Sequence, residues 1–243
     1  MVLDSLLPLK RLKEIDENGQ KIKHIAFNLS DISQLEKIMK EKGDTAVNEI
    51  ENNLSMRNKL LRSLFDLQLK NNIPIMTLYV SKKIDKPIFF SKIYEKLNEF
   101  LDFILPVARE NQTRITFLGK WYDVPGNSTE KIRRIASETK SYESYFLNLC
   151  INYDGQEEIL DSCKIIAHKV KLGQIEPNSI SMDNLKDNIY ISRFSPPDRI
   201  ISISRSRKLY SFLLWDSAYS YIYFHEKDWS ETVTRDLERF FVS

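Results

Sequence analysis

Short β-branched runs alternate along this chain with longer stretches in which apolar residues recur every three to four positions, the pattern of a parallel sheet with helices on its faces. The strand-like runs cover residues 23–29, 75–80, 114–118, 146–152, 199–204 and 221–224. Between them, 48–71 carries Leu54, Leu60, Leu61, Leu64, Phe65 and Leu67 at helical spacing, and 88–105 sets Phe89, Ile93, Leu97, Phe100, Leu101 and Ile104 on one wide stripe. Further helices are predicted after Ser128, over 157–172 with Asp154 or Gly155 as opener and Gly173 as a left-handed cap, and over 231–241. No Ser-, Gly- or Pro-rich linker and no repeat interrupts this alternation. The pattern predicts an α/β fold in a single domain, built on one open, mostly parallel sheet of about six strands flanked by helices.

Composition narrows the chemistry. With 243 residues, 42% apolar and 29% charged, the chain can bury a sizeable core. Its six glycines, at 19, 43, 119, 126, 155 and 173, are too far apart for G-x-x-x-x-G-K-[ST] or G-x-G-x-x-G, which excludes the common nucleotide loops. Lys and Arg exceed Asp and Glu by 36 to 34, a balance that gives no push toward nucleic acid. Cys150 and Cys163 form no C-x-x-C and have no His at metal spacing, so they read as reduced, buried or half-buried thiols. The start, MVLDSLLPLKRLK, is neither signal peptide nor anchor, and no run approaches about 18 apolar residues, so a cytosolic protein is expected.

Four segments carry a family signature: HIAFNLSD at 24–31, IPIMTLYVS at 73–81, INYDGQEEILDSCKIIA at 151–167 and PDRIISISRSRKLYSFLLWDSAYSYIYF at 197–224. Together they resemble the cis-prenyltransferases, which include undecaprenyl and dehydrodolichyl diphosphate synthases. The resemblance covers about residues 22–241, leaving 1–21 as an N-terminal extension. It implies an elongated apolar tunnel between helices and sheet, a dimer, and Mg²⁺-dependent addition of isopentenyl diphosphate to an allylic diphosphate. That chemistry needs a carboxylate on the metal, arginines and backbone N–H groups on the leaving diphosphate, and a dry channel for the growing chain.

The family's catalytic set is missing from this chain. The catalytic Asp of D-G-N-G-R-W falls on Ser30, and the residues after it fall on positions 31–36 (DISQLE). The S-x-E-N-W-x-R-P stretch reads SKKIDKP at 81–87 and keeps only the proline. In R-T-S-G-E-x-R-L-S, the first Arg becomes Ser202, the Gly Arg205, the Glu Ser206, the second Arg Lys208 and the last Ser Tyr210; the metal-ligating Glu of A-Y-x-E becomes Tyr221. A serine hydroxyl is a poor ligand for a hard cation beside a carboxylate, and the lost glycines remove turns that bring N–H groups against phosphate. What persists is apolar and aromatic. Phe212, Leu213, Leu214, Trp215, Tyr219 and Tyr223 are the candidates for an interface, because the resemblance assigns this block to the dimer contact.

Several residues have two readings. His24 is either a pocket residue or a satisfied histidine at a strand start. Asp31 is either a displaced stand-in for the lost Asp or an N-cap for ISQLEKIMK. Arg205, Arg207 and Lys208 are either diphosphate contacts or a solvated basic loop. The 88–105 stripe either lines a tunnel or is core, with Tyr210 hinting at filling.

Some cis-prenyltransferases are heteromers in which one family-derived subunit lacks the chemistry and supports a catalytic one. The resemblance therefore implies a non-catalytic accessory subunit of such an enzyme, making the long-chain polyprenyl diphosphate precursor of a glycosyl carrier lipid. No catalytic residue, metal or cofactor is then expected on this chain, and Mg²⁺ belongs to a catalytic paralogue in a heterodimer or heterotetramer. Prenyl diphosphate is a second partner, nucleic acid is not one, and the lipid product gives a cytoplasmic protein peripheral contact with membrane. The alternatives are a divergent active prenyltransferase using Asp31 and the 205–208 cluster, and a prenyl-lipid-binding module with an open tunnel.

Overall fold

The six β-branched runs become six strands: β1 (His24–Asn28), β2 (Ile75–Ser81), β3 (Thr113–Leu118), β4 (Tyr145–Ile151), β5 (Arg199–Ile203) and β6 (Tyr221–His225). The computed structural model describes residues 22–82 and 87–241, apart from the side chains of residues 44 and 87–90. The N-terminal extension and the Phe89 end of the 88–105 stripe therefore lie outside the described residues. All six strands join one sheet in the order β3-β4-β2-β1-β5-β6, and every pairing is parallel. Both faces are covered in the interior, as an all-parallel sheet requires. Ile25, Phe27 and Leu29 belong to one apolar cluster, while Ala26 turns to a second with Tyr79, Cys150, Tyr153 and Phe212.

The helices are α1 (Ser33–Lys42), α2 (Val47–Lys70), α3 (Pro87–Glu110), α4 (Gly126–Thr139), α5 (Gly155–Lys171), α6 (Met182–Lys186) and α7 (Thr234–Glu238). α2, α3, α4 and α7 contribute to the first cluster; Leu185 of α6, with Ile189 and Ile191 after it, packs on the second. α5 starts where the sequence predicts, with the Asp154 carboxylate accepting the N–H of Gln156 at 2.7 Å. It ends in a Schellman motif: Gly173, at φ 68°, donates to Val170 and Gln174 to Lys169.

Four expectations need correction. α3 does not stop at Leu105 but runs through Pro106 to Glu110, with the proline exposed on the side of the helix away from the core. α4 begins at Gly126, so Ser128 sits inside its first turn, its hydroxyl accepting from Asn98. The last helix shortens to Thr234–Glu238, because the Asp236 carboxylate captures the N–H of Val233 and holds that residue extended. Cys150 is buried, but Cys163 lies on the outer side of α5 and is exposed.

The chain leaves β1 toward β2 on one side, while β5 lies on the other side of β1. The connections thus diverge above the C-terminal ends of β1 and β5, the position at which an open parallel sheet forms a binding crevice.

Candidate functional site

Residues 28–33 and 202–211 meet at this crevice. Asn28 donates to the carbonyl of Leu209 at 2.9 Å and accepts from both the N–H (3.0 Å) and the hydroxyl (2.7 Å) of Ser30. Ser202 donates to the carbonyl of Lys208 at 2.7 Å. These bonds strap residues 204–213 across the strand ends, although Arg207, Tyr210, Ser211 and Leu213 all sit at positive φ. Non-glycine residues in that region cost about 1–2 kcal/mol each and persist only where the surroundings hold them.

Asp31 is the carboxylate of this crevice and is 8% exposed. It accepts from the N–H of Ser33 at 2.9 Å and from the Ser204 hydroxyl. With its one proton spent on Asp31, Ser204 takes the hydroxyl of Ser206 at 2.7 Å, which in turn takes that of Tyr210 at 2.8 Å. The relay Tyr210, Ser206, Ser204 therefore ends on the Asp31 carboxylate. Burial works to raise its pKa, but the bonds from Ser204 and Ser33 outweigh it and hold the carboxyl below its ordinary value, so it is an anion at neutral pH. Its bond to the Ser33 N–H is a local turn two residues on; the N-cap of α1 is Ile32, which has no side-chain cap bond, so the N-cap reading of Asp31 is corrected.

Two of the three residues of the basic cluster are already engaged. Arg205 pairs with Asp228 at 3.1 Å and with Glu231, and Arg207 pairs with Glu226. Lys208 is exposed. These surface pairs are weak, yet they place carboxylates where the diphosphate reading needs free guanidinium groups.

A divalent cation does not fit here. Ser30 is buried and spends its hydroxyl proton on Asn28. Tyr221 aligns through Arg199 with Ile25, so Ser30 lies five residues farther along the sheet, about 16 Å at 3.3 Å per residue. One ion cannot touch both positions within one chain. Among the described residues no group of three His, Cys, Asp or Glu side chains is placed to hold a metal.

His24 is likewise remote, at the opposite end of β1. Its Nδ1 faces the Ser195 carbonyl at 2.9 Å and so carries the proton, and its Nε2 accepts from Thr77 at 2.8 Å. Burial lowers its pKa from 6.5 to about 4, against the opposing pull of the Ser195 carbonyl and Asp198. The satisfied-histidine reading describes it. Its contribution to stability is complete above pH 6.5 and lost as pH falls toward 4. Buried Glu158 behaves oppositely: desolvation raises its pKa from 4.5 to about 7 against hydrogen bonds from Tyr153 and Tyr190, so stability is lost as pH rises from 4.5 through 7. Each effect amounts to about 3 kcal/mol. Urea unfolding from pH 4 to 8 should show Glu158→Gln gaining about that much on the wild type toward high pH; a constant difference would refute the assignment.

Among the described residues, the space between α2, α3 and the sheet is filled. Leu29, Leu64, Phe65, Phe100, Leu101 and Ile104 are 0% exposed, so no water-sized gap, and no isoprenoid-wide channel, reaches their surfaces. The interface candidates divide. Phe212 and Leu213 are buried in the second cluster and cannot meet a partner, and Leu214 and Trp215 are half-buried. Tyr219 and Tyr223 are exposed beside Tyr221, Ile222 and Phe224 on β6, which forms one edge of the sheet. Sequence reasoning missed Asn28, Ser204 and Glu158, and also Arg57 of α2. Arg57 is 4% exposed, with Nε and Nη2 unbonded and its guanidinium 5.3 Å from the Trp229 ring centroid. An arginine within the apolar run of α2 was the available signal.

The family model Prenyltransf, described as "Putative undecaprenyl diphosphate synthase", matches residues 58–243. A tritrans,polycis-undecaprenyl-diphosphate synthase (geranylgeranyl-diphosphate specific) of Methanocaldococcus jannaschii is 32% identical over 170 residues, 65% of this chain and 59% of that protein's length, so the chain spans under two thirds of that relative. Among solved structures, lavandulyl diphosphate synthase of Lavandula x intermedia, in complex with dimethylallyl diphosphate, superposes with a TM-score of 0.75 at 18% identity, covering 91% of this chain and 94% of that one. A probable undecaprenyl diphosphate synthase of Campylobacter jejuni gives 0.67 at 21%, covering 91% and 93%. These two likenesses concern the fold: a six-stranded parallel sheet with its crevice above β1 and β5. With three quarters of its length matched by the family model and the signature segments at the strand ends, the chain belongs to the cis-prenyltransferase (undecaprenyl diphosphate synthase) family.

Proposed function

We propose that this chain is the non-catalytic subunit of a heteromeric cis-prenyltransferase that makes a long-chain polyprenyl diphosphate, the precursor of a glycosyl carrier lipid. The observation that carries the reading is the state of the crevice: Asp31 takes the hydroxyl of Ser204 and the N–H of Ser33, Asn28 takes those of Ser30, and Arg205 and Arg207 pair with acids of the same chain. Two of the three cations that would grip a diphosphate, Arg205 and Arg207, are thus engaged within the chain, and Lys208 is exposed. The filled space between α2, α3 and the sheet adds to this, since a growing prenyl chain needs an open channel. The exposed aromatic edge at Tyr219, Tyr221 and Tyr223 suits a second family subunit, because an unpaired apolar strand edge left in water invites pairing.

Purified alone with isopentenyl diphosphate, an allylic diphosphate and Mg²⁺, the chain is expected to give no elongation. Co-expressed with a paralogue that has an intact D-G-N-G-R-W, it is expected to co-purify, with product appearing only when both are present. Elongation by the isolated chain at rates typical of the family would overturn the proposal. The second reading, an active enzyme with a rebuilt site, is favoured by one feature: an anionic Asp31 in the crevice. It requires Asp31→Ala to abolish turnover by the isolated protein.

A further inference from the structure

Among the described residues, α5 buries only Gly155, Glu158, Ser162 and Ile166, one face at helical spacing. Its outer side carries a second row. Gln156, Leu160, Cys163, Ala167 and Val170 follow one another at steps of four, three, four and three, the 3.5-residue period of a coiled-coil seam. Leu160 is 54% exposed, Cys163 and Ala167 are exposed and Val170 is half-buried. At 1.5 Å per residue the seam is about 21 Å long.

The charges beside this seam are sorted along the helix. Within Gly155–Lys171 the acids Glu157, Glu158 and Asp161 all precede Cys163, and the bases Lys164, His168, Lys169 and Lys171 all follow it. A parallel copy of the same helix would set like charges side by side, which costs energy. An antiparallel copy, turned about a two-fold axis at Cys163, does the reverse: Glu157 of one copy meets Lys171 of the other, and Asp161 meets Lys164. The same turn sets Leu160 against Ala167, large against small, and opposes the two helix dipoles. The present partners of the acids, Lys120 for Glu157 at 2.9 Å and Lys164 for Asp161 at 3.1 Å, form surface pairs of little energy. An anionic membrane fits worse, because it would repel the acidic half.

We infer that α5 recognises itself: two copies of this chain pair through an antiparallel α5 seam whose two-fold axis passes at Cys163. The seam lies on a different element from the β6 edge, and the inference does not depend on whether the chain is catalytic. One helix pair is a small interface, so the association is weak and depends on concentration.

The test is sedimentation equilibrium of the purified full chain, with no paralogue present, over a range of concentrations, together with cross-linking by a short bismaleimide. Cys150 is 0% exposed, so the thiol reagent reports on Cys163. The expected result is a monomer–dimer equilibrium and a cross-linked dimer. Ala167→Glu, on the exposed side of the helix, should weaken the dimer at least tenfold and leave the melting temperature of the dilute protein unchanged. Glu157→Lys and Lys171→Glu should each weaken it several-fold. The double variant Glu157→Lys/Lys171→Glu, which restores opposite charges across an antiparallel pair of identical helices, should recover it. A monomer at every concentration, a dimer that Ala167→Glu leaves intact, no recovery in the double variant, or cross-linking only after a catalytic paralogue is added would overturn the inference.

Discussion

Gly155→Ala is expected to destabilise the isolated chain by about 3 kcal/mol, lowering its melting temperature by roughly 10 °C at this size. Gly155 opens α5, and its N–H donates to the Ser211 carbonyl at 3.0 Å. A Cβ there would stand 2.2 Å from that same carbonyl oxygen and 3.1 Å from Leu214 Cγ. The obstacle is backbone, and it belongs to the stretch in which four residues already hold positive φ. That stretch cannot retreat without releasing the bonds from Asn28 and Ser202 that hold it over the strand ends. The cost therefore spreads from one methyl group to the crevice. Gly126 provides the control: nothing lies within 4 Å of its Cβ position, so Gly126→Ala at the start of α4 should change stability by less than about 1 kcal/mol. Thermal unfolding of the two variants decides the matter, and equal melting temperatures would refute the close seam between α5 and residues 211–214.

That seam also shows what could be read from the sequence and what could not. The strands were legible to within one or two residues, because a parallel strand buried on both faces is a contiguous apolar run such as IMTLYV. Helix ends were less legible. Pro106 looks like a stop and is not one, and the capping serine of α6, Ser181, bonded reciprocally with Asn184, went unread in a polar stretch. Ser30, Asp31 and Ser202 do come together, since strand ends in a parallel sheet share one edge. The family pattern also grouped His24 and Tyr221 with them, but both sit at the other end of their strands, where register rather than motif decides neighbours. The bond from Ser204 to Asp31 joins residues 173 positions apart, and no local pattern predicts such a contact.

Phe212→Ala is expected to cost about 3–5 kcal/mol, whereas Tyr221→Ser should shift the stability of the isolated chain by less than about 0.5 kcal/mol and yet abolish co-purification with a catalytic partner. The two residues lie nine positions apart in one aromatic-rich block, and exposure separates them. Phe212 is 0% exposed, stacks on Tyr79 at 5.1 Å and meets Tyr153 edge-on at 6.4 Å, so truncating it leaves a cavity with two aromatic walls unsupported. Tyr221 is 76% exposed on the edge strand and contributes little to the monomer, whose core it does not touch. An aromatic side chain held in water at a sheet edge has energy to release only when something covers it. Chemical denaturation and pull-down of the two variants therefore read different properties: the first should unfold early, and the second should fold normally and fail to bind. If Tyr221→Ser, and also the double change Tyr219→Ser/Tyr221→Ser, retained the partner, the interface would have to lie away from β6, and the exposed aromatic edge would need another occupant.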